Sequence, residues 1–142
     1  MADRIDGHCL CGAVRISTVK RSDEMSACFC DMCTRWSGTA GMGFDGDPEA
    51  TVVTGPVKTY RSSSFSERAW CDACGSALWL RDDGGDYELV PGLFENAAGC
   101  TLTRIVYADR APDGWNFAGT PKRVTKADYE ASHQFVPEGD PS

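Results

Sequence analysis

The sequence predicts a single, mainly β domain, and three observations support this fold class. Apolar and polar residues alternate over short runs of about five residues, which is typical of strands with one buried face. Glycine, proline and aspartate separate these runs, as in DGDPE and TGP. The chain has 142 residues, the length of one ordinary domain, and shows neither an internal repeat nor a linker.

The alternating runs predict the strands in chain order. They are AVRIST from residue 13, TVVTG from 51, VKTYRS from 57, ALWLR from 77, DYELV from 86 and RIVYA from 104. The segment DDGGD lies between two of these runs and favours a hairpin turn. Two short helices are predicted, one around DMCTRWSG and one at KADYEA from residue 126. We predict one zinc-binding domain over residues 1–132 and a flexible polar tail over 133–142.

The charge and the apolar content of the chain exclude several classes of partner. The net charge of −7 argues against nucleic acid, because binding to phosphates needs a surplus of lysine and arginine. The segment MADRIDGHCLCG has no apolar run of signal-peptide length, and no run of about 18 apolar residues occurs elsewhere. We therefore predict a cytoplasmic protein without nucleic-acid or membrane partners, and its oligomeric state stays open.

The eight cysteines are the strongest chemical signal in the sequence. A reducing compartment keeps thiols reduced, so metal binding or redox chemistry is a better interpretation than structural disulfides. The cysteines cluster in C-x-C and C-x-x-C units, a spacing that suits ligands around one ion.

Two of the units have a glycine after their second cysteine, and their cysteines are Cys9, Cys11, Cys71 and Cys74. Gly12 and Gly75 would let the backbone turn tightly around an ion, so these units predict a structural zinc site with four thiolates. A thioredoxin-like redox motif is the alternative for WCDACG, but it needs a helix after the second cysteine. The following segment, SALWLR, alternates like a strand instead.

The central stretch CFCDMC contributes three cysteines, Cys28, Cys30 and Cys33. One interpretation is a second structural zinc with Cys100 or His8 as fourth ligand. The other is a catalytic zinc whose fourth position is left to water or substrate. Three thiolates around Zn²⁺ leave a net charge of about −1, which suits the presentation of a substrate thiol. Spacing does not decide how the units group, since Cys30 and Cys33 could also pair with the later C-x-x-C unit.

Five segments in this order resemble the glutathione-dependent formaldehyde-activating enzyme family, which includes centromere protein V. They are GHCLCGAV, CFCDMCTRWSG, KTYRSS, WCDACGSALWL and RIVYADRAPDGW. The resemblance extends from Gly7 to about Trp115. It implies several short coiled antiparallel sheets around a structural zinc, akin to the small Rab-activating zinc protein.

The resemblance also implies two zinc ions per chain and a sorting of their ligands. Cys9, Cys11, Cys71 and Cys74 would hold the structural zinc, and Cys28, Cys30 and Cys33 would form the catalytic zinc site. The implied activity is that of a carbon–sulfur lyase resembling S-(hydroxymethyl)glutathione synthase. Such an enzyme adds a thiol such as glutathione to a small aldehyde such as formaldehyde.

One position departs from the family pattern, because Phe29 stands where the family commonly has histidine. Glutathione carries two carboxylates, so its site needs cations, and the candidates are Arg35, Lys58, Arg61 and Arg68. A noncatalytic zinc module that binds a protein partner is the rival hypothesis. It predicts that the central cluster holds its ion for structure alone.

Overall fold

Short strands dominate residues 3–138, which are the residues described by the computed structural model. The strands are β1 (Arg4–His8), β2 (Arg15–Val19), β3 (Glu24–Cys28), β4 (Gly41–Gly46), β5 (Val52–Thr54), β6 (Val57–Arg61), β7 (Ser66–Cys71), β8 (Ala77–Asp82), β9 (Tyr87–Leu89), β10 (Thr101–Val106) and β11 (Lys122–Val124). The helices are α1 (Asp31–Ser37) and α2 (Lys126–Ser132). This architecture confirms the predicted mainly β fold class.

The strands of residues 3–138 form two sheets. One has three strands in the order β1-β2-β5, and the other has eight in the order β11-β10-β3-β4-β9-β8-β7-β6. The pairing is antiparallel except at β10, which runs parallel to both β3 and β11. Parallel neighbours need long connections, and β10 is separated from β3 by the whole middle of the chain. A bridge between Lys20 and Gly46 links the two sheets.

Each run predicted as a strand overlaps one, namely β2, β5, β6, β8, β9 and β10. The DDGGD segment joins β8 to β9 as the predicted hairpin, and both predicted helices are present. Neither helix of residues 3–138 is long or apolar enough to cross a lipid bilayer. Residues 139–142, which belong to the predicted flexible tail, lie outside the described residues.

The eight-stranded sheet has one apolar face and one polar face. Phe44, Leu89, Trp79 and Ala69 pair in register across β4, β9, β8 and β7, and all four are buried. The next position on each strand points to the opposite face, because strand side chains alternate. That face carries a second cross-strand row, consisting of Asp45, Glu88, Leu80 and Arg68. Leu80, Glu88 and Arg68 of this polar row line the cavity described below.

Candidate functional site

The first and the last of the cysteine units lie next to each other in the structure, although 60 residues separate Cys11 from Cys71. The four sulfur atoms of Cys9, Cys11, Cys71 and Cys74 lie within 4.8 Å of one another. The Sγ atoms of Cys9 and Cys11 are 3.6 Å apart, and those of Cys11 and Cys71 are 3.9 Å apart. Tetrahedral zinc with Zn–S bonds of about 2.3 Å needs sulfurs about 3.8 Å apart. The donor set and its spacing therefore fit zinc.

Both glycines that follow these units adopt the backbone conformation expected of them. Gly12 has φ +79° and Gly75 has φ +80°, values that other residues rarely adopt. The amides of the same turns point toward sulfur. Val14 N donates to Cys9 Sγ at 3.3 Å, and Ala13 N donates to Cys11 Sγ at 3.5 Å. Such amides stabilise thiolates.

The Cys71–Cys74 unit lacks the context of a redox motif. Cys74 is followed by strand β8 rather than by a helix, and the unit lies beside two further thiols. A thioredoxin-like motif requires a helix after its second cysteine. The observed geometry therefore favours a metal-binding unit over a redox pair.

The three central cysteines form a second cluster, with their sulfur atoms within 4.8 Å of one another. Cys28 ends β3, and Cys33 lies in α1. Among residues 3–138, no histidine, aspartate, glutamate or further cysteine joins this cluster. Its three thiols could hold a metal ion and would leave one tetrahedral position without a protein ligand.

Neither candidate for a fourth ligand reaches the central cluster. His8 Nδ1 makes a hydrogen bond with the carbonyl of Cys9, in the other cysteine group. Cys100 follows a short helical turn, where its thiol points to the Ala98 carbonyl. The last histidine, His133, stacks on Tyr129 at the end of α2. None of these three residues therefore adds a ligand atom to the central cluster.

The start of α1 sets the spacing of the central thiols. Cys30 caps the helix, and its Sγ accepts a hydrogen bond from Cys33 N at 3.4 Å. Cys30 N in turn donates to Cys28 Sγ at 3.5 Å. The hydrogen bond from the Cys28 thiol, followed by that from Cys33, lowers the pKa of the Cys30 thiol. One tight turn therefore gathers three sulfurs and favours a thiolate among them.

Arg68 is the cation closest to the central cluster. Its two terminal nitrogens lie 3.7 and 3.8 Å from Cys33 Sγ, and its guanidinium stacks over Trp36 with 5.0 Å to the ring centroid. The side chain is 5% exposed, and its Nε has no hydrogen-bond partner. No carboxylate of residues 3–138 forms an ion pair with Arg68. Its positive charge is therefore available to offset the negative charge of thiolates in the central cluster.

The other sequence-derived cations divide into two groups. Arg35 lines the same cavity as the central cluster. Arg61 pairs with Asp83 at 2.7 Å, and Lys58 pairs with Asp72 at 3.6 Å. Neither Arg61 nor Lys58 lines that cavity.

The central cluster opens into a cavity of about 1130 Å³. Its walls are the polar face of the eight-stranded sheet, helix α1 and the segment of residues 134–138. Sequence reasoning missed several lining residues, namely Glu88, Arg104, Tyr107 and Tyr129. The strand period in DYELV was the available signal for Glu88, since it places this residue on the face opposite to buried Leu89.

Gly41 of β4 makes room for the cluster. A Cβ atom at this position would lie 2.8 Å from Cys33 Cβ and 3.2 Å from Cys33 Sγ. Both distances are shorter than ordinary van der Waals contact. The absence of a side chain at Gly41 therefore lets Cys33 pack directly on the strand.

Phe29 points away from the cavity. Its ring is buried in a second apolar cluster, 5.4 Å from the ring of Trp115 and 6.0 Å from that of Phe117 between centroids. It is absent from the cavity wall formed by residues 3–138. Phe29 therefore contributes to core packing and not to the lining of the cavity.

The chain is similar in sequence to a known family and to two known proteins. The model of the glutathione-dependent formaldehyde-activating enzyme family matches residues 4–108. An uncharacterized lyase of Schizosaccharomyces pombe is 30% identical over 123 residues, which cover 84% of this chain and 90% of that protein. A Halomonas elongata protein, provisionally named a glutathione-dependent formaldehyde-activating enzyme, is 34% identical over 88 residues, 55% of this chain and 56% of that protein.

A solved structure shares the fold. It is a crystal structure of a Rhodobacter sphaeroides protein, with a TM-score of 0.57 and 19% sequence identity. The match covers 65% of this chain and 89% of the solved chain. At this level of identity the likeness concerns the fold alone.

Proposed function

Because the chain belongs to the glutathione-dependent formaldehyde-activating enzyme family, we propose that it is a carbon–sulfur lyase. The reaction joins a small thiol, such as glutathione, to a small aldehyde, such as formaldehyde, and gives an S-hydroxymethyl adduct. The observation that carries this proposal is the group of three cysteines, which faces a cavity and has no fourth ligand among residues 3–138. A closed structural site would have four protein ligands.

Each cysteine group has its own part in the proposal. Cys9, Cys11, Cys71 and Cys74 hold a structural zinc, and Cys28, Cys30 and Cys33 form the catalytic site. Zinc bound at the second site would supply a position that binds the substrate thiol and lowers its pKa. The chain contributes the rest, since Arg68 beside Cys33 Sγ balances negative charge and the cavity walls limit the access of water.

The cavity suits an anionic thiol of the size of glutathione. Arg35, Arg68 and Arg104 line it, and none of them pairs with a carboxylate of residues 3–138 within 4.0 Å. Glutathione carries two carboxylates, which arginine binds well because its guanidinium can donate two parallel hydrogen bonds. The three arginines therefore offer more than one place where a substrate carboxylate can bind.

We extend the proposal to domain organisation and location. Residues 1–132 form the zinc-binding domain and residues 133–142 a tail, whose described part, residues 134–138, lies along the cavity. The thiols must stay reduced to act as ligands, which favours the cytoplasm.

Thiol binding to the cobalt-substituted protein tests the proposed function. A thiol should enter the open position, so millimolar glutathione at pH 8 should intensify the sulfur-to-metal charge-transfer band. Binding should strengthen toward the free thiol pKa of about 8.5, because the thiol must lose its proton. The same protein should accelerate the addition of glutathione to formaldehyde above the uncatalysed rate.

Two serine variants control the spectroscopic test. Cys33→Ser should abolish the spectral response, whereas Cys100→Ser should preserve it, because Cys100 lies outside both cysteine groups. A spectrum that glutathione leaves unchanged would contradict the open position and favour the noncatalytic module.

The two proposed metal ions should differ in lability. Four thiolates close one site, with Cys9 and Cys71 fully buried, whereas the other site leaves chelators an open position. We expect a mild chelator to remove one zinc per chain while the circular dichroism spectrum stays unchanged. Metal analysis before and after chelation measures this difference. Release of both ions at the same rate, or a single ion in the native protein, would contradict the two-site proposal.

A further inference from the structure

Glu88 occupies the middle of the polar wall of the cavity. It pairs in register with Asp45 of β4 on one side and with Leu80 of β8 on the other, and Leu80 pairs with Arg68 of β7. Residues paired directly across strands share one face of a sheet. Glu88 and Arg68 therefore face the same cavity, two strands apart, and Arg68 in turn contacts Cys33 Sγ.

Strand β4 relates Glu88 to the central cysteines. A Cβ on Gly41 would lie 2.8 Å from Cys33 Cβ, and a Cβ on Gly43 would lie 3.4 Å from Glu88 Cβ. Gly41 and Gly43 are two positions apart on one face of a strand, a spacing of about 7 Å. Cys33 thus packs above Gly41 and Glu88 lies beside Gly43, on the same face of β4. Glu88 and the three central cysteines therefore line one cavity, which can hold a small aldehyde beside the thiols.

The surroundings of Glu88 favour its protonated form near neutral pH. Burial raises the pKa of Glu88 to about 7, and nearby negative charges add to the rise, whereas Arg68 lowers it. The negative charge of Glu88 in turn contributes to the raised pKa of Tyr129, another residue of the cavity wall. The negative charges that raise the pKa of Glu88 belong to Asp45 of β4, Asp82 of β8 and Asp86 before β9. A carboxyl group in this environment can both give and take a proton near pH 7.

The other proton-bearing groups of the cavity wall are less suitable. Tyr107 already donates its hydroxyl proton to Glu130, and burial raises the pKa of its phenol further. Burial also raises the pKa of Tyr129 to about 12. Asp82 accepts a hydrogen bond of 2.5 Å from Ser66. Glu88 makes no such hydrogen bond within residues 3–138, so its carboxyl group is available to a substrate.

We propose that Glu88 donates the proton that the aldehyde oxygen takes up when the thiol sulfur adds to the carbonyl carbon. A carbon–sulfur bond forms, the carbonyl π bond breaks, and its electron pair moves to oxygen, which takes the Glu88 proton. The thiol releases its proton to solvent on binding, and Glu88 regains a proton from solvent after the addition, so thiol plus aldehyde gives the hydroxymethyl adduct with no co-reactant. In the reverse direction Glu88 accepts the hydroxyl proton. This inference rests on the proposed function.

Glu88→Gln tests the inference, with Glu67→Gln as its matched control. Both substitutions replace a carboxylate by an amide on this sheet, but Glu67 lies outside the cavity wall. Glu88→Gln should lower the rate of addition per bound thiol about 100-fold at pH 6.5, the size typical of lost general acid catalysis. The wild-type rate should fall above pH 7, where Glu88 loses its proton, and Glu88→Gln should lack this pH dependence.

Two further measurements separate a role in proton transfer from a structural one. Thiol binding to the cobalt-substituted protein should be unchanged in Glu88→Gln, because Glu88 acts on the aldehyde oxygen and not on sulfur. The carbon-13 signal of one labelled glutamate carboxyl group should titrate near pH 7 in the wild type and be missing from the variant.

The outcomes distinguish this inference from the proposed function. A Glu88→Gln variant with wild-type rate and pH profile would overturn the role of Glu88 and leave the lyase function in place. Loss of thiol binding in Glu88→Gln would assign Glu88 a structural role and would also overturn the inference. A wild-type protein that does not accelerate the addition would overturn the proposed function together with the inference.

Discussion

Replacing Cys71 with serine should unfold the chain, whereas replacing Cys33 with serine should leave the fold intact. Cys71 is fully buried at the end of β7, in the same apolar cluster as Cys9. Its sulfur atom lies beside those of Cys9 and Cys11, which come from the N-terminal part of the chain. A structural zinc contributes about 10 kcal/mol to the folding of small zinc domains. Loss of one buried thiolate therefore removes a tether and leaves an unpaired polar group in the core.

Thermal unfolding followed by circular dichroism measures this difference. We expect no cooperative transition for Cys71→Ser, and a transition within a few degrees of the wild type for Cys33→Ser. Cys33 is buried as well, so the comparison separates the two cysteine groups rather than buried from exposed thiols. Equal melting temperatures for the two variants would contradict the structural role of the four-cysteine group.

Replacing Gly41 with alanine should disrupt the three-cysteine cluster without unfolding the domain. The new Cβ would lie 2.8 Å from Cys33 Cβ, so either α1 or β4 must move. Overpacking of this kind costs about 1–3 kcal/mol. Since the displaced atom carries a thiol of the proposed catalytic zinc site, we expect the affinity of this site for zinc to fall about 10- to 100-fold.

Gly43→Ala provides the matched control on the same face of β4. The added Cβ would meet its nearest neighbour, Glu88 Cβ, at 3.4 Å, which is close to ordinary contact. We expect near wild-type zinc affinity in this variant, measured by competition with a chromophoric chelator. Equal affinities for the two alanine variants would show that the cluster does not depend on the space above Gly41.

Two of the strands that sequence analysis missed, β4 and β7, share a physical cause. The β4 segment GMGFDG has three glycines, which disfavour a strand by local propensity, and the β7 segment SERAWC buries residues of both faces, among them the charged Arg68, so apolar and polar residues do not alternate along it. Both strands border the cavity and the cysteine groups. Their unusual residues therefore make room for the cluster and supply charge to it, and tertiary packing overrides their weak local preference.

Local chemistry explains why the cysteine units could be recognised from the sequence. A C-x-C or C-x-x-C unit brings two sulfurs to one ion through its own turn, and a following glycine supplies the left-handed conformation, as Gly12 and Gly75 do. The short alternating runs likewise predicted strands because each strand buries one face. These features depend on residues a few positions apart, so their spacing along the chain carries the information.

The grouping of distant units and the composition of the cavity depend on long-range contacts. Spacing left open whether Cys71 and Cys74 group with Cys9 and Cys11 or with Cys30 and Cys33, and only the packing of β7 against the N-terminal turn brings Cys71 and Cys74 to the first pair. The positions of Arg68 and Glu88 in the polar row follow from strand register, in which a shift of one residue would turn both side chains to the opposite face. Register is set by the joint burial of the apolar face, a property that no short segment encodes.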